Sequence, residues 1–288
     1  MRGIVLFLTI AFCTGCGKRA FFDPFSYDPQ AYEKVKLHYF IQGKGDTTLF
    51  FIHGWNLDHS CWQNQLAYFS PSYRLVTMDL AGHGHSGKKR KNWTVESFAR
   101  DILHIIHTEG LKNVILVAHS MGGEIALDVA AADPRRVIGI IGVDNLKNVG
   151  MTVSEEQKKG MQSYIRMFKG NYREMAEGMA RGNLRTRDSA IVAGVVKSYT
   201  SAKPKIAVPI LMNLFPKAVD AKNKLAVLPF PLKLIISTYS SYDSAALKKY
   251  CRNGYRVVKI DGSGHFPMLE QPLKFNEALQ GFLKPARL

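Results

Sequence analysis

Ser120 is the side chain best placed in this sequence to attack a carbonyl. It lies in Ile115-Leu116-Val117-Ala118-His119-Ser120-Met121-Gly122-Gly123, where an apolar, strand-like run gives way at once to helix-like residues 124–132. A strand that turns so sharply into a helix holds the serine in a strained bend. Small residues at 118, 122 and 123 let the backbone close around it. The hydroxyl then stands at the carboxyl edge of a sheet. The Met121 N–H falls at a helix N-terminus, where negative charge is favoured. Such a turn supplies a nucleophile and half of an oxyanion hole.

Four more reactive groups share its position in the pattern. His53, Asp79, Asp144 and His265 follow strand-like runs at 48–52, 73–78, 137–143 and 256–260. Further strands are expected at 35–40 and 232–237. Helices are expected at 58–69, at 94–109 with Thr94 as N-cap, at 245–251 and at 273–283. Alternating strands and helices imply a mostly parallel, doubly wound sheet covered on both faces. Ligands of such sheets sit outside the carboxyl ends of the strands. The five side chains should therefore face one crevice. From 145 to 228 the strand-like runs vanish and helical patterns rich in methionine and lysine take over. This stretch reads as a helical insertion. The expected organisation is a core of residues 34–144 and 229–288 with an inserted segment between.

With these residues in view, the chain resembles the α/β-hydrolase superfamily. His53-Gly54-Trp55 looks like that superfamily's oxyanion loop, and Ala118-His119-Ser120-Met121-Gly122 like its nucleophile elbow, with Ala118 in place of the usual glycine. Gly264-His265-Phe266 resembles its terminal catalytic histidine, and Asp79-Leu80-Ala81-Gly82-His83-Gly84 its structural turn. The resemblance implies Ser120 as nucleophile, His265 as base, and the N–H groups of Trp55 and Met121 as oxyanion donors. It also implies that the insertion is a helical lid. A serine hydroxyl needs a base within hydrogen-bond reach, and that imidazole needs a carboxylate to fix its tautomer. The superfamily most often places the acid in the loop that here reads Ser237-Thr238-Tyr239-Ser240-Ser241-Tyr242-Asp243. Asp243 comes late there and leaves little chain before His265. Asp144 stands directly at a strand end, a position some members use. Asp144 is the preferred acid and Asp243 the runner-up. His53 is expected to order the oxyanion loop, and Asp79 and His83 to brace theirs.

A serine nucleophile argues against the superfamily's haloalkane dehalogenases and epoxide hydrolases, which attack with aspartate. Hydrolysis of a small-molecule carboxylic ester is the leading expectation. Carbon–carbon hydrolysis and cofactor-free haloperoxidase chemistry use the same triad. A non-catalytic binding protein on this fold would usually lack the serine or the histidine, and both are present. No cofactor or metal is expected: the His104/His107 pair reads as ordinary helix surface. Met151, Met161, Met167, Met175, Met179 and Met212 could line an apolar acyl pocket or simply pack the lid.

Composition bounds the rest. The 288 residues can bury a full core, and 46% apolar with 22% charged content is ordinary, but a net charge of +16 is not. The charge, including Lys88-Lys89-Arg90-Lys91, reads as a solvated basic face that could also meet an anionic membrane. Nucleic acid is not expected, because no groove-reading motif accompanies it. Residues 1–15 read as a signal peptide: Arg2, an apolar run at 4–12, then Cys13-Thr14-Gly15 before Cys16. This resembles a bacterial lipoprotein site, with Cys16 lipidated, residues 16–33 as a tether and the protein exported. Cys61 and Cys251 are expected as separate thiols, because in the superfamily their helices cover opposite faces of the sheet.

Overall fold

The computed structural model describes residues 33–151 and 153–284, without the side chains of 215–220. The expected signal segment, Cys16 and nearly all of the tether lie outside the described residues. Seven strands form one sheet in the order β1-β3-β2-β4-β5-β6-β7. They are β1 (His38–Gln42), β2 (Thr48–Ile52), β3 (Arg74–Asp79), β4 (Val114–His119), β5 (Val137–Val143), β6 (Leu232–Ser237) and β7 (Tyr255–Ile260). All pairings are parallel except that of β1 with β3. The middle strands are continuous apolar runs because both faces are covered: every residue of β2 is buried.

The connections run from β2 outward to β3, then cross back to β4. The chain therefore changes direction between β2 and β4, and the crevice of such a sheet opens at that point. Right-handed crossovers place α1 (Gln63–Phe69) on one face, and α2 (Val95–Thr108) and α3 (Gly122–Ala132) on the other. A short 3-10 helix (His59–Trp62) precedes α1. Thr94 caps α2, its Oγ1 accepting the Ser97 N–H at 3.2 Å.

Between β5 and β6 the chain adds α4 (Glu155–Gly170), α5 (Tyr172–Asn183), α6 (Ser189–Ser201) and α7 (Pro204–Val227). A capping box of Ser154 and Gln157 starts α4. Helix α7 packs on α2 and α3, and a buried ion pair between Lys224 and Asp128 fastens it to α3. The fold closes with α8 (Ser244–Tyr250), α9 (Pro267–Glu270) and α10 (Pro272–Leu283). Cys61 and Cys251 are buried, separate thiols.

Two expectations need correction, and one element was not foreseen. Strand β1 begins at His38 rather than Val35. The turn α9 has no counterpart in the sequence pattern. Arg90, read as part of a solvated basic run, is buried: its guanidinium bonds Asp101 at 2.5 Å and lies over Trp93 and Phe98. Burying a guanidinium is tolerable there because a carboxylate and aromatic faces replace its water. Among the described residues, no helix is long and apolar enough to cross a membrane.

Candidate active site

Ser120 stands between β4 and α3 with φ +50°. A non-glycine residue in this region stores about 1–3 kcal/mol of strain, so its surroundings must hold it there. They do so from several sides. The Ser120 N–H donates to the Val143 carbonyl at 3.0 Å. The Asn145 amide donates to the carbonyls of Ala118 (2.7 Å) and Ser120 (3.0 Å). That amide fits because Gly123 and Gly142 have no side chains: an added Cβ would fall 2.4 and 2.3 Å from its atoms. Asn145 is a neighbour of Ser120 that sequence reasoning missed. Its only signal is its place directly after Asp144.

The Ser120 Oγ lies 2.9 Å from Nε2 of His265, and Nδ1 of His265 lies 2.5 Å from Oδ2 of Asp144. With a proton on Nδ1 donated to Asp144, Nε2 accepts the serine O–H. Asp144 is itself left-handed, φ +49°, which a short carboxylate side chain tolerates. Its other oxygen accepts from Lys147 Nζ at 3.0 Å and from the Ser237 N–H at 3.3 Å. Burial opposes its ionisation, but the hydrogen bond and charge of His265, with Lys147, outweigh that, and its carboxyl is held well below the usual range. Asp243 is elsewhere: it caps α8, accepting the Ala246 N–H at 2.8 Å.

His53 stays neutral, its protonation disfavoured by complete burial. Its Nδ1–H donates to the Gly54 carbonyl at 2.8 Å and its Nε2 accepts the Leu80 N–H at 2.9 Å. It therefore ties the loop after β2 to the end of β3. Gly54 must be glycine, because a Cβ would lie 2.7 Å from the His119 ring and 3.0 Å from Ser120 Cβ. This brings the 54–55 backbone against the serine. Met121 stands at the N-cap of α3 and makes no side-chain cap bond, leaving helix-terminal N–H groups to an incoming anion. The Trp55 indole points away and donates to the Ala207 carbonyl of α7 at 2.9 Å. His119 donates from Nε2 to the His265 carbonyl at 2.8 Å, and burial keeps its ring neutral.

Glu270 was also missed by sequence reasoning. Its buried carboxylate accepts four backbone N–H groups: Gly264 (3.0 Å), Phe266 (3.2 Å), Arg185 (2.7 Å) and Thr186 (2.9 Å). It clamps the histidine loop to the link between α5 and α6. The His265 N–H adds a bond to the Asn183 carbonyl at 2.8 Å.

The methionines of the insertion do not share one environment. Met161, Met175 and Met179 are half-buried, whereas Met151, Met167 and Met212 are exposed. A cavity of about 590 Å³ lies between α6 and residues 56–63. None of these methionines, nor Ser120, Asp144 or His265, lines it. His107 pairs with Asp133 at 3.1 Å.

An acetyltransferase component of an acetoin cleaving system from Cupriavidus necator is 28% identical over 260 residues, 86% of this chain and 67% of that protein. A pimeloyl-[acyl-carrier protein] methyl ester esterase from Pectobacterium carotovorum is 25% identical over 265 residues, 85% of this chain and 98% of that protein. An esterase from Exiguobacterium antarcticum shares the fold with a TM-score of 0.78 at 19% identity, over 89% of this chain and 98% of that one. Residues 49–278 match the Alpha/beta hydrolase family, so this chain belongs to that family and is a hydrolase.

Proposed function

We propose that the protein cleaves a carboxylic ester through an acyl-enzyme, with Ser120 as nucleophile, His265 as base and Asp144 as acid. The observation that carries this reading is the continuous relay from Ser120 Oγ through His265 to Asp144, 2.9 and 2.5 Å long. Ser120 Oγ attacks the ester carbonyl and its proton passes to His265 Nε2. The tetrahedral oxyanion is held by the N–H groups of Met121 and Trp55; losing one such donor costs roughly 3 kcal/mol of barrier. The alcohol leaves with the proton from His265. Water then attacks the acyl-serine by the same route and releases the acid. The methyl ester esterase among the relatives supports an ester as substrate. An apolar acyl group is the finer reading, and the helices inserted between β5 and β6 would act as its lid.

The test is a panel of nitrophenyl esters of graded acyl length, with product analysis. Native protein should turn them over and label with a fluorophosphonate, and Ser120→Ala should do neither. No labelling of native protein, where a control hydrolase reacts, overturns the reading. A ketone or a halogenated product would instead place the same triad in carbon–carbon hydrolysis or halogenation.

The location proposed is export as a lipoprotein anchored through Cys16, supported by the apolar run at 4–12 and the small residues before that cysteine. Native protein should leave membranes with detergent and not with salt, and Cys16→Ser should become extractable without detergent. Extraction of native protein by salt alone would instead assign attachment to the basic surface.

A further inference from the structure

Around Asp79 the chain gathers three imidazoles that the hydrolytic reaction does not use. His38 opens β1 and is the cross-strand partner of Asp79. His59 lies in the 3-10 helix after β2. His85 lies in the turn after β3. Nδ1 of each ring points at the one carboxylate: His59 at 2.6 Å from Oδ1, and His38 and His85 at 3.1 and 3.5 Å from Oδ2. Asp79 itself is fully buried, with side-chain exposure of 0%. Its orientation is fixed by backbone N–H groups, His59 on Oδ1 at 2.9 Å and His85 on Oδ2 at 2.8 Å. Gly84 makes room for it, since a Cβ there would lie 2.3 Å from Oδ2.

Oδ2 has two lone pairs, and the His85 N–H and the His38 ring account for both. The His85 ring, 3.5 Å away, stands beside them beyond a good hydrogen bond. A cation between the three atoms would engage that ring as well, because both nitrogens then offer lone pairs. The spacing agrees: ligands about 2.0–2.2 Å from a tetrahedral ion lie roughly 3.3–3.5 Å apart. The 3.1 and 3.5 Å separations of His38 and His85 from Oδ2 bracket that value. The 2.6 Å contact of His59 is too short for two ligands of one ion and is a hydrogen bond. His59 therefore orients the carboxylate from behind, as outer partners of metal ligands do. Asp58, the other acid nearby, already accepts the N–H and O–H of Ser60 at 2.9 and 2.5 Å.

We propose that His38 Nδ1, His85 Nδ1 and Asp79 Oδ2 form a binding site for a zinc-like divalent cation, with His59 holding the carboxylate. Two imidazoles with one carboxylate suit zinc rather than magnesium or calcium, which prefer oxygen ligands. His85 is 76% exposed at its side chain, so the ion has an approach from solvent and a coordination position left for water. The bound ion staples edge strand β1 to the turn after β3.

The test uses full-length protein without a polyhistidine tag, stripped with a chelator and titrated with zinc by calorimetry. One equivalent should bind in the micromolar range or tighter, and magnesium should not compete. Zinc should raise the thermal midpoint, since it binds the folded state. His38→Gln and His85→Gln should each remove the bound equivalent at that concentration. His59→Gln should weaken it roughly 10–100-fold. His104→Gln should change nothing. Cobalt in place of zinc should give the visible bands of a tetrahedral centre in native protein and not in His85→Gln. Absence of stoichiometric zinc, or equal binding by the His38 and His85 variants with circular dichroism unchanged, overturns the site.

Discussion

Glu270 offers the sharpest test of how the histidine is held. Its carboxylate takes two buried N–H groups from the His265 loop and two from residues 185 and 186 of the insertion. In Glu270→Ala all four donors lose their acceptor. Arg185 and Thr186 lie nearer solvent and recover part of the loss from water. Gly264 and Phe266 do not, and at about 1.5–3 kcal/mol for each hydrogen bond to a charged group the variant should lose roughly 3–6 kcal/mol. Glu270→Gln can keep its oxygen on Gly264 and Phe266 and turn its NH2 toward Arg185 and Thr186, so it should lose less than Glu270→Ala. The catalytic effect is separable from the stability effect. A displacement of about 1 Å in a reacting group costs on the order of 100-fold in rate, and the loop carrying His265 is the one released. Urea unfolding gives the first quantity. Ester hydrolysis per folded molecule, measured well below the thermal midpoint and normalised by fluorophosphonate titration, gives the second. A Glu270→Ala protein with native kcat per titrated site refutes the positioning argument, whatever its stability.

Three other perturbations follow from the same contacts. Asp144→Asn should lower kcat by about 10³–10⁴-fold, as loss of the carboxylate does in other triads, while Asp243→Ala should leave kcat unchanged and cost about 1 kcal/mol as a lost helix cap; the reverse pattern in the ester assay assigns the acid to Asp243. Because the Asp144 carboxyl is held below its unfolded value, its contribution to stability is complete above about pH 4 and is lost as pH falls below that. The difference in unfolding free energy between native protein and Asp144→Asn should therefore shrink from pH 5 to pH 3, and a constant difference refutes the linkage. Gly123→Ala places a methyl group 2.4 Å from the Asn145 amide; about 1–3 kcal/mol of overpacking is expected in urea unfolding, with a fall in kcat as the brace on Ser120 is displaced.

What could be read from sequence divides along physical lines. Strand β2 is buried throughout, and β5 and β6 are buried over their last four residues, so their apolar runs carry their own boundaries. Strand β1 is an edge, with Phe40 and Ile41 exposed, and alternation there does not mark the paired residues. The turn at Ser120, φ +50°, was legible because its strain demands small neighbours along the same stretch. Asp144 was legible as an acid at a strand end, but its bond to a histidine 121 positions away is a matter of topology. Arg90 could not be read as buried, since its partner Asp101 sits on the next helix and neighbouring lysines mask it. Glu270 and Asn145 act on backbone groups, and a side chain that binds backbone leaves no matching side chain to find.

The reactive groups are supported by two different bodies of structure. Ser120 and Asp144 are held by the sheet core: Val143, Asn145 and Ser237 bond them or their loops. His265 and the loop after β2 lean instead on the inserted helices. Trp55 bonds Ala207, the Asn56 side chain donates to Tyr172 at 2.7 Å, and Ser198 donates to the Asn56 carbonyl at 2.5 Å. Glu270 and Asn183 fix the histidine loop from the same side. The inserted helices are thus part of the frame that sets the distance between His265 and Ser120. Shortening them cannot be treated as trimming a cover, because the 2.9 Å contact between Ser120 and His265 spans the boundary between the two bodies. Substitutions in α6 or in the 184–186 link reach His265 and the loop after β2 first. They leave Ser120 and Asp144, which share no hydrogen bond with those helices among the described residues, in place.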